Sequence, residues 1–212
     1  MIRKWMLLAT LWFPFRLLAV DSLYIPENKI TEEIPYSLEE LFSSIHKTPA
    51  FIARYHQIRT LPNLRKPLES SGEFAYDAHV GVEIRQQTPV HSTTRIQANQ
   101  ITLTDANGAS QEISTNSSPQ IQGWAQMISW IFSGNIEPLR QQFSLWYDAG
   151  EGHQIVGLEP NSLITRQYVQ RITLDFSRKG LVRMELQESS HSYTVWLFSQ
   201  HTRVPAGLAI PQ

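Results

Sequence analysis

The chain has 212 residues and a mass of 24.4 kDa, with 18 basic and 19 acidic side chains, 42% hydrophobic residues and no cysteine. Lack of cysteine excludes a disulfide framework, a thiolate zinc site and a cysteine nucleophile, and a net charge of −1 gives no basic surplus for general nucleic-acid binding. Only 17% of the residues are charged, and the length suits one domain with a substantial core.

Met1-Ile2-Arg3-Lys4 is a short basic stretch ahead of the apolar runs Trp5 to Phe15 and Leu17 to Val20, the order of a secretory signal peptide. Pro14 and Arg16 interrupt the apolar run, which falls short of the ~20 clean apolar residues of a membrane span. The alternative for this segment is an N-terminal membrane-anchored helix, which shares the basic flank. Residues 1–20 are therefore expected to be a leader and residues 21–212 a single exported domain. Loss of the leader removes Arg3, Lys4 and Arg16 and no acid, leaving 15 basic against 19 acidic residues, a net −4.

Asp21 to Tyr36, with Pro26 and Pro35, reads as an irregular lead-in. Ser37-Leu38-Glu39-Glu40 has the form of a capping box, in which the serine hydroxyl and Glu40 satisfy each other's orphan amides. Leu38, Leu41, Phe42 and Ile45 then share one helical face, and Pro49 ends the helix. Beyond it the period changes to two. Phe51, Ala53 and Tyr55 alternate with Ile52, Arg54 and His56; Phe74 and Tyr76 precede a turn at Asp77 to His79; Val80, Val82 and Ile84 follow. Ile101 and Leu103 lead to Asn107-Gly108, a strong hairpin signal. Later come Ile172, Leu174 and Phe176, the turn Arg178-Lys179-Gly180, then Val182, Met184 and Leu186, and finally Thr194, Trp196 and Phe198. About ten antiparallel strands are expected, with no internal repeat and no low-complexity linker.

One helix interrupts the strands, with Ser118 at the N-cap, Pro119 at N1 and Gly134 at C′. At 100° per residue only Gln122, Gln126, Ser129 and Ser133 form a polar strip, and the apolar arc spans about 220° where a surface helix needs only ~100°. Such a helix must bury two sides. One can lie on the sheet, and the other needs a helix, a partner or a ligand. Ile136 to Phe143 follows as a second amphipathic stretch, with Leu139 and Phe143 as partial cover.

Catalytic constellations are not evident. The seven histidines show no metal-ligand spacing, and neither a Gly-x-Ser-x-Gly elbow nor a glycine-rich phosphate loop occurs. Ser70-Ser71-Gly72 reads as the start of a strand, Glu39 and Glu40 diverge around the helix, and Asn116-Ser117-Ser118 matches a glycosylation sequon whose Ser118 already serves as a cap. Arg166, Arg171, Arg178 and Lys179 read as a solvated basic face. What stands out is the set of large apolar side chains: Trp124, Met127, Trp130, Phe132, Phe143, Trp146 and Trp196. Each could be ordinary core. Together with the over-wide helix they fit a lid over an antiparallel sheet, with room for an acyl chain. A sixteen-carbon chain represents roughly 12 kcal/mol of transfer free energy at ~0.8 kcal/mol per methylene, enough to need a carrier through water.

The order of Phe51 to Leu61, Leu64, Pro67-Leu68, Ser70 to Tyr76, Gly81 to Arg85, Thr88-Pro89, Ile128 to Phe143 and Gly157 to Pro160 resembles the LolA-like outer-membrane lipoprotein carrier proteins, over roughly residues 37–200 and closest to a divergent branch of that family. The resemblance implies a mainly β fold of the α+β type: an incomplete antiparallel β-barrel of about ten strands covered by a lid of short α-helices. It also implies a periplasmic, monomeric carrier without cofactor or metal, which takes acyl chains from an inner-membrane exporter and yields them to an outer-membrane acceptor. Leu41, Trp124, Met127, Ile128, Ile131, Phe132 and Phe143 are the expected cavity and lid residues, with Val82, Ile84, Trp146 and Trp196 on the sheet side. The family's Lys-Arg-Pro turn, whose arginine holds the empty cavity shut, reads Asp77-Ala78-His79 here, so that gating role is not carried over. Two rival readings are a hydrolase or acyltransferase using Ser70 or Ser71, and a non-enzymatic module whose wide helix docks on an inner-membrane lipid exporter.

Overall fold

The computed structural model describes residues 23–150 and 152–210, so the expected leader lies outside the described residues. Helix α1 (Tyr36–His46) precedes six strands: β1 (Ala50–Thr60), β2 (Leu68–Asp77), β3 (Gly81–Thr88), β4 (Ser92–Ile96), β5 (Gln100–Thr104) and β6 (Ser110–Ser114). Helices α2 (Pro119–Ser133) and α3 (Ile136–Gln142) follow, then β7 (Phe143–Gly150), β8 (His153–Pro160), the short α4 (Leu163–Arg166), β9 (Arg171–Ser177), β10 (Gly180–Ser189) and β11 (Ser192–Arg203). All strands join one antiparallel sheet in the order β6-β5-β4-β3-β2-β1-β11-β10-β9-β8-β7. The sheet is not closed: β6 and β7 are its edges, and α2 with α3 carries the chain from one edge to the other.

Curvature follows from the packing. Ile101 on β5 and Phe143 on β7 line one cavity although nine strand spacings separate them, which a flat sheet would hold about 40 Å apart. The sheet is therefore rolled around α2. Its concave residues, among them Phe74, Val82, Leu158, Leu174 and Met184, form one core with Leu38 and Phe42 of α1 and Met127, Ile128 and Ile131 of α2.

The convex face is covered by the two ends of the described chain. Near the N-terminus, Tyr24 donates its hydroxyl to the Ile172 carbonyl at 2.9 Å and lies under the Arg171 guanidinium, 4.4 Å from the ring centre. Burial raises the Tyr24 phenol to about 12. Lys29 then bridges to Trp146 on edge strand β7, and the Ile30 amide donates to the Leu145 carbonyl at 2.9 Å. Near the C-terminus, Ala209 and Ile210 close a second apolar cluster over Ala50 and Ala75. Buried Asp77 fixes that segment by accepting from the Gly207 amide at 2.6 Å and from the His79 amide at 3.0 Å.

The eleven strands agree with the about ten expected, while several other expectations need correction. Strands β7 and β8 escape a period-two reading because both their faces are covered: Phe143, Leu145 and Tyr147 point into the core while Trp146 packs on Tyr24 outside, with ring centres 5.2 Å apart. Gly157 on β8, opposite Trp146, lacks a side chain where Tyr24 lies, since a Cβ there would sit 2.9 Å from its ring. The capping box does not form. Helix α1 starts one residue before Ser37, and Pro35 stands at its N-cap with no side-chain cap; its carbonyl receives the Leu38 and Glu39 amides. The helix ends at His46, ahead of Pro49. Phe143 opens β7 instead of closing the second amphipathic helix. Ser70-Ser71-Gly72 lies inside β2 rather than at its start, and a register shift at Ser71/Gly72 brings the Arg85 carbonyl to where a Gly72 Cβ would be. The caps of α2 are as expected: Ser118 accepts from the Ile121 amide at 3.2 Å, and Gly134 is left-handed at φ 68°.

Candidate functional site

The two sides of α2 meet different surroundings. Met127, Ile128, Ile131 and Phe132 are buried against the sheet and α1. Ile121 and Trp124, half-buried, face a cavity of about 480 Å³ between α2 and the β8–β9 connection. Ile101, Phe143 and Leu186 form its sheet wall, and Ile164, Tyr168 and Val169 its outer lip. A cavity of several hundred Å³ with mostly apolar walls is of the size that takes a small organic ligand. Of its polar residues, Glu188 is engaged by Arg59 at 3.3 Å and by the Ser192 hydroxyl at 2.6 Å. The lip is apolar yet exposed, Leu163 by 76% and Ile164 by 64%, on a four-residue helix that buries no side chain.

Beneath α2 lies a second space of about 20 Å³, walled by Phe74, Val82, Ile84, Ile128, Met184 and Trp196 and sharing Trp124, Met127 and Leu186 with the first. That volume admits roughly one water. An acyl chain running from the outer cavity along the sheet must therefore displace α2.

Leu41, Ile131 and Phe132 belong to neither space. They line a cleft of about 110 Å³ at the opposite end of the strands, against the β9–β10 turn. An aromatic group divides this cleft from the space beneath α2, with the Phe74 and Phe132 ring centres 4.8 Å apart. In the cleft the His201 Nε2–H donates to the Leu181 carbonyl at 2.8 Å. Burial lowers the imidazole below its ordinary 6.5; the carbonyl bond opposes that shift and Lys179 reinforces it. The unfolded chain thus takes up this proton before the folded one does. Stability from this group is fully present above the unfolded value and falls as pH drops below it. Replacing His201 by Gln is expected to flatten the fall in melting temperature between about pH 7 and pH 5, measured by thermal unfolding; an unchanged slope would assign the fall to other groups.

Of the eleven expected residues the structure gathers Trp124, Met127 and Phe143 at the larger cavity, and Val82, Ile84, Ile128 and Trp196 beneath α2. Leu41, Ile131 and Phe132 sit at the far cleft. Trp146, expected to line the sheet side, is on the convex face under Tyr24, because it alternates with the inward Leu145 and Tyr147. The lip residues Ile164, Tyr168 and Val169 were not anticipated. Their signal was the apolar pair Leu163-Ile164 in an otherwise polar loop.

Among the described residues no three His, Asp or Glu are grouped to hold a metal ion. The Ser70 hydroxyl donates to Gln57 at 2.7 Å and the Ser71 hydroxyl is 2.7 Å from that of Thr88, while His56 faces Glu69 at 3.3 Å.

No protein-family model matches the chain, and no curated protein matches it. Solved structures do. A LolA superfamily protein from Nitrosomonas europaea is 10% identical, with 82% of this chain and 95% of that chain covered at a TM-score of 0.44. A DUF1329 family protein from Desulfovibrio piger is 12% identical, with 82% and 92% covered and a TM-score of 0.43. The MucA/MucB complex of Pseudomonas aeruginosa contains a chain 13% identical, with 80% and 58% covered and a TM-score of 0.36.

Proposed function

We propose that this chain is a non-enzymatic periplasmic carrier that binds the acyl portion of a lipoprotein or related lipid and takes it towards the outer membrane. The observation that carries the reading is the apolar cavity of about 480 Å³ between α2 and the exposed lip of α4, which shares Trp124, Met127 and Leu186 with the space beneath α2. The leader-like sequence of residues 1–20 supports export, and no helix among the described residues is long and apolar enough to cross a membrane. An inner-membrane exporter as donor and an outer-membrane acceptor follow from the sequence resemblance. Binding lifts α2 from the sheet, and release follows where a membrane or acceptor takes the chain.

Gly123 offers a sharp test. It lies on α2 at the cavity wall, and a Cβ built on it meets nothing within 4 Å. A mid-helix glycine costs about 1 kcal/mol relative to alanine, so filling the position does not harm the helix. Gly123→Trp is expected to hold or slightly raise the melting temperature while weakening uptake of a fluorescent sixteen-carbon fatty acid at least about tenfold, the loss of some 1.4 kcal/mol of apolar contact. Undiminished uptake would place the chain elsewhere. Native mass spectrometry of protein purified from periplasm tests carriage itself: a stoichiometric lipid or acylated peptide supports it. A clean apo mass with a stable protein complex would instead favour the docking module, for which exposed Leu163 and Ile164 offer one apolar surface.

A further inference from the structure

The far cleft has a composition that acyl binding alone does not require. Its floor is apolar, from Leu41, Ile45, Phe51, Phe132 and Leu181, and its rim carries the cations Arg178, Lys179 and Arg203 beside His201, with no carboxylate among its walls. Arg178, Lys179 and Arg203 are exposed and form no ion pair among the described residues. The acid on the adjoining strand β9, Asp175, is held by His153 at 2.8 Å.

Backbone geometry brings two of these groups to the cleft. Strand β11 carries a bulge against β1: Ser199 pairs with Arg54 and Thr202 with Ile52, so Gln200 and His201 together oppose Ala53. Gln200 has φ 52°, the one positive value at a non-glycine residue among those described. Phe198 faces the core, and strict alternation would send positions 201 and 203 to the convex side. The extra residue reverses the alternation, so Arg203 pairs with inward Phe51 and His201 and Arg203 both turn to the cleft. Bulges re-aim side chains next to functional sites, and a left-handed conformation without glycine is a strained one. On a mature chain of net −4, three unpaired cations over an apolar floor make a site for an anion with a hydrophobic tail.

We infer that the cleft between α1 and the β9–β10 turn binds a phosphate-bearing amphiphile, its headgroup on Arg178, Lys179 and Arg203 and its first methylenes on Leu41, Ile45 and Phe51. The site shares no residue with the cavity at the other end of the strands, so it stands or falls separately from the carrier reading. Octyl phosphate, octyl glucoside and inorganic phosphate are titrated against the full mature chain by calorimetry. Octyl phosphate is expected to bind at least about tenfold more tightly than octyl glucoside, an advantage that salt weakens. The triple variant Arg178→Gln, Lys179→Gln, Arg203→Gln, made at exposed positions, is expected to abolish that advantage with its melting temperature retained. Gly123→Trp is expected to leave it intact. Equal binding of the two octyl compounds, or an advantage that survives the triple variant, overturns the assignment. Displacement of octyl phosphate by an equal concentration of inorganic phosphate overturns it too, by showing a free-anion site that ignores the tail.

Discussion

Gly134→Ala is expected to destabilise the protein by about 3 kcal/mol. Two costs combine. A left-handed residue with a Cβ loses roughly 1–2 kcal/mol, and at φ 68° Gly134 is such a position. The added Cβ would also lie 2.5 Å from both the His46 amide nitrogen and the Phe42 carbonyl oxygen, backbone atoms of α1 that cannot rotate away. Gly108→Ala separates the two, because its φ of 83° is similar but a Cβ there meets nothing within 4 Å. Urea unfolding of both variants should show about 1–2 kcal/mol lost at Gly108 and about twice that at Gly134 with similar slopes. Equal losses would mean that α1 yields freely to α2. The point bears on mechanism. The His46 ring nitrogen also lies 3.1 Å from the Ser133 carbonyl, so the end of α2 is fastened to α1. Any lifting of α2 to admit a chain must therefore hinge near Gly134 or carry α1 with it.

The sequence was most legible where one face of an element is dry and the other wet. Strands β1 and β10 show alternation, and the caps of α2 sit at the residues expected, because Ser118 and Gly134 are local chemistry. The over-wide arc of α2 meets the sheet and α1 on one side, while half-buried Ile121 and Trp124 face the cavity on the other. Legibility failed where distant segments intervene. The convex face of β7 and β8 is covered by Leu23 and Tyr24, well over a hundred residues away in sequence, and nothing local marks Trp146 as belonging to that face. The α1 cap was missed because Ser37-x-x-Glu40 fits the capping pattern, while the backbone enters the helix one residue earlier through Pro35.

The site was legible as a class of residue rather than as a place. Trp124, Met127 and Phe143 reach the larger cavity, yet Leu41, Ile131 and Phe132, of the same character, lie at the other end of the strands. Apolar residues at one helical period look alike whether they meet a wall, a void or a ring. The basic cleft was hidden for a different reason. Arg178-Lys179 and His201-Thr202-Arg203 come from separate turns and strands, and the bulge at Gln200 that turns the second group inward leaves no compositional mark.

Glu83→Ala is expected to cost about 2–3 kcal/mol, against less than about 0.5 kcal/mol for Glu69→Ala. Both carboxylates have basic partners, and burial decides the difference. Glu69 is 63% exposed on its side chain beside His56, where water replaces the lost contact. Glu83 is 3% exposed on its side chain and lies between two arginines: Arg95 donates to Oε2 from Nη2 at 2.6 Å and from Nε at 2.9 Å, and Arg85 donates to Oε1. Removing it leaves two guanidinium groups facing each other, each about a third exposed, and that partial hydration keeps the expected loss below the ~3–5 kcal/mol of a fully buried pair. Arg85 further holds Glu73 and donates to the Ala209 carbonyl at 3.2 Å, so the same change loosens the C-terminal cover over Ala50 and Ala75. Amide exchange should accordingly quicken at residues 204–210 in Glu83→Ala more than in Glu69→Ala, beyond what the fall in global stability explains. Unaltered exchange there would separate the charge network from the C-terminal segment and leave Asp77, through its bond to Gly207, as the anchor that fixes it.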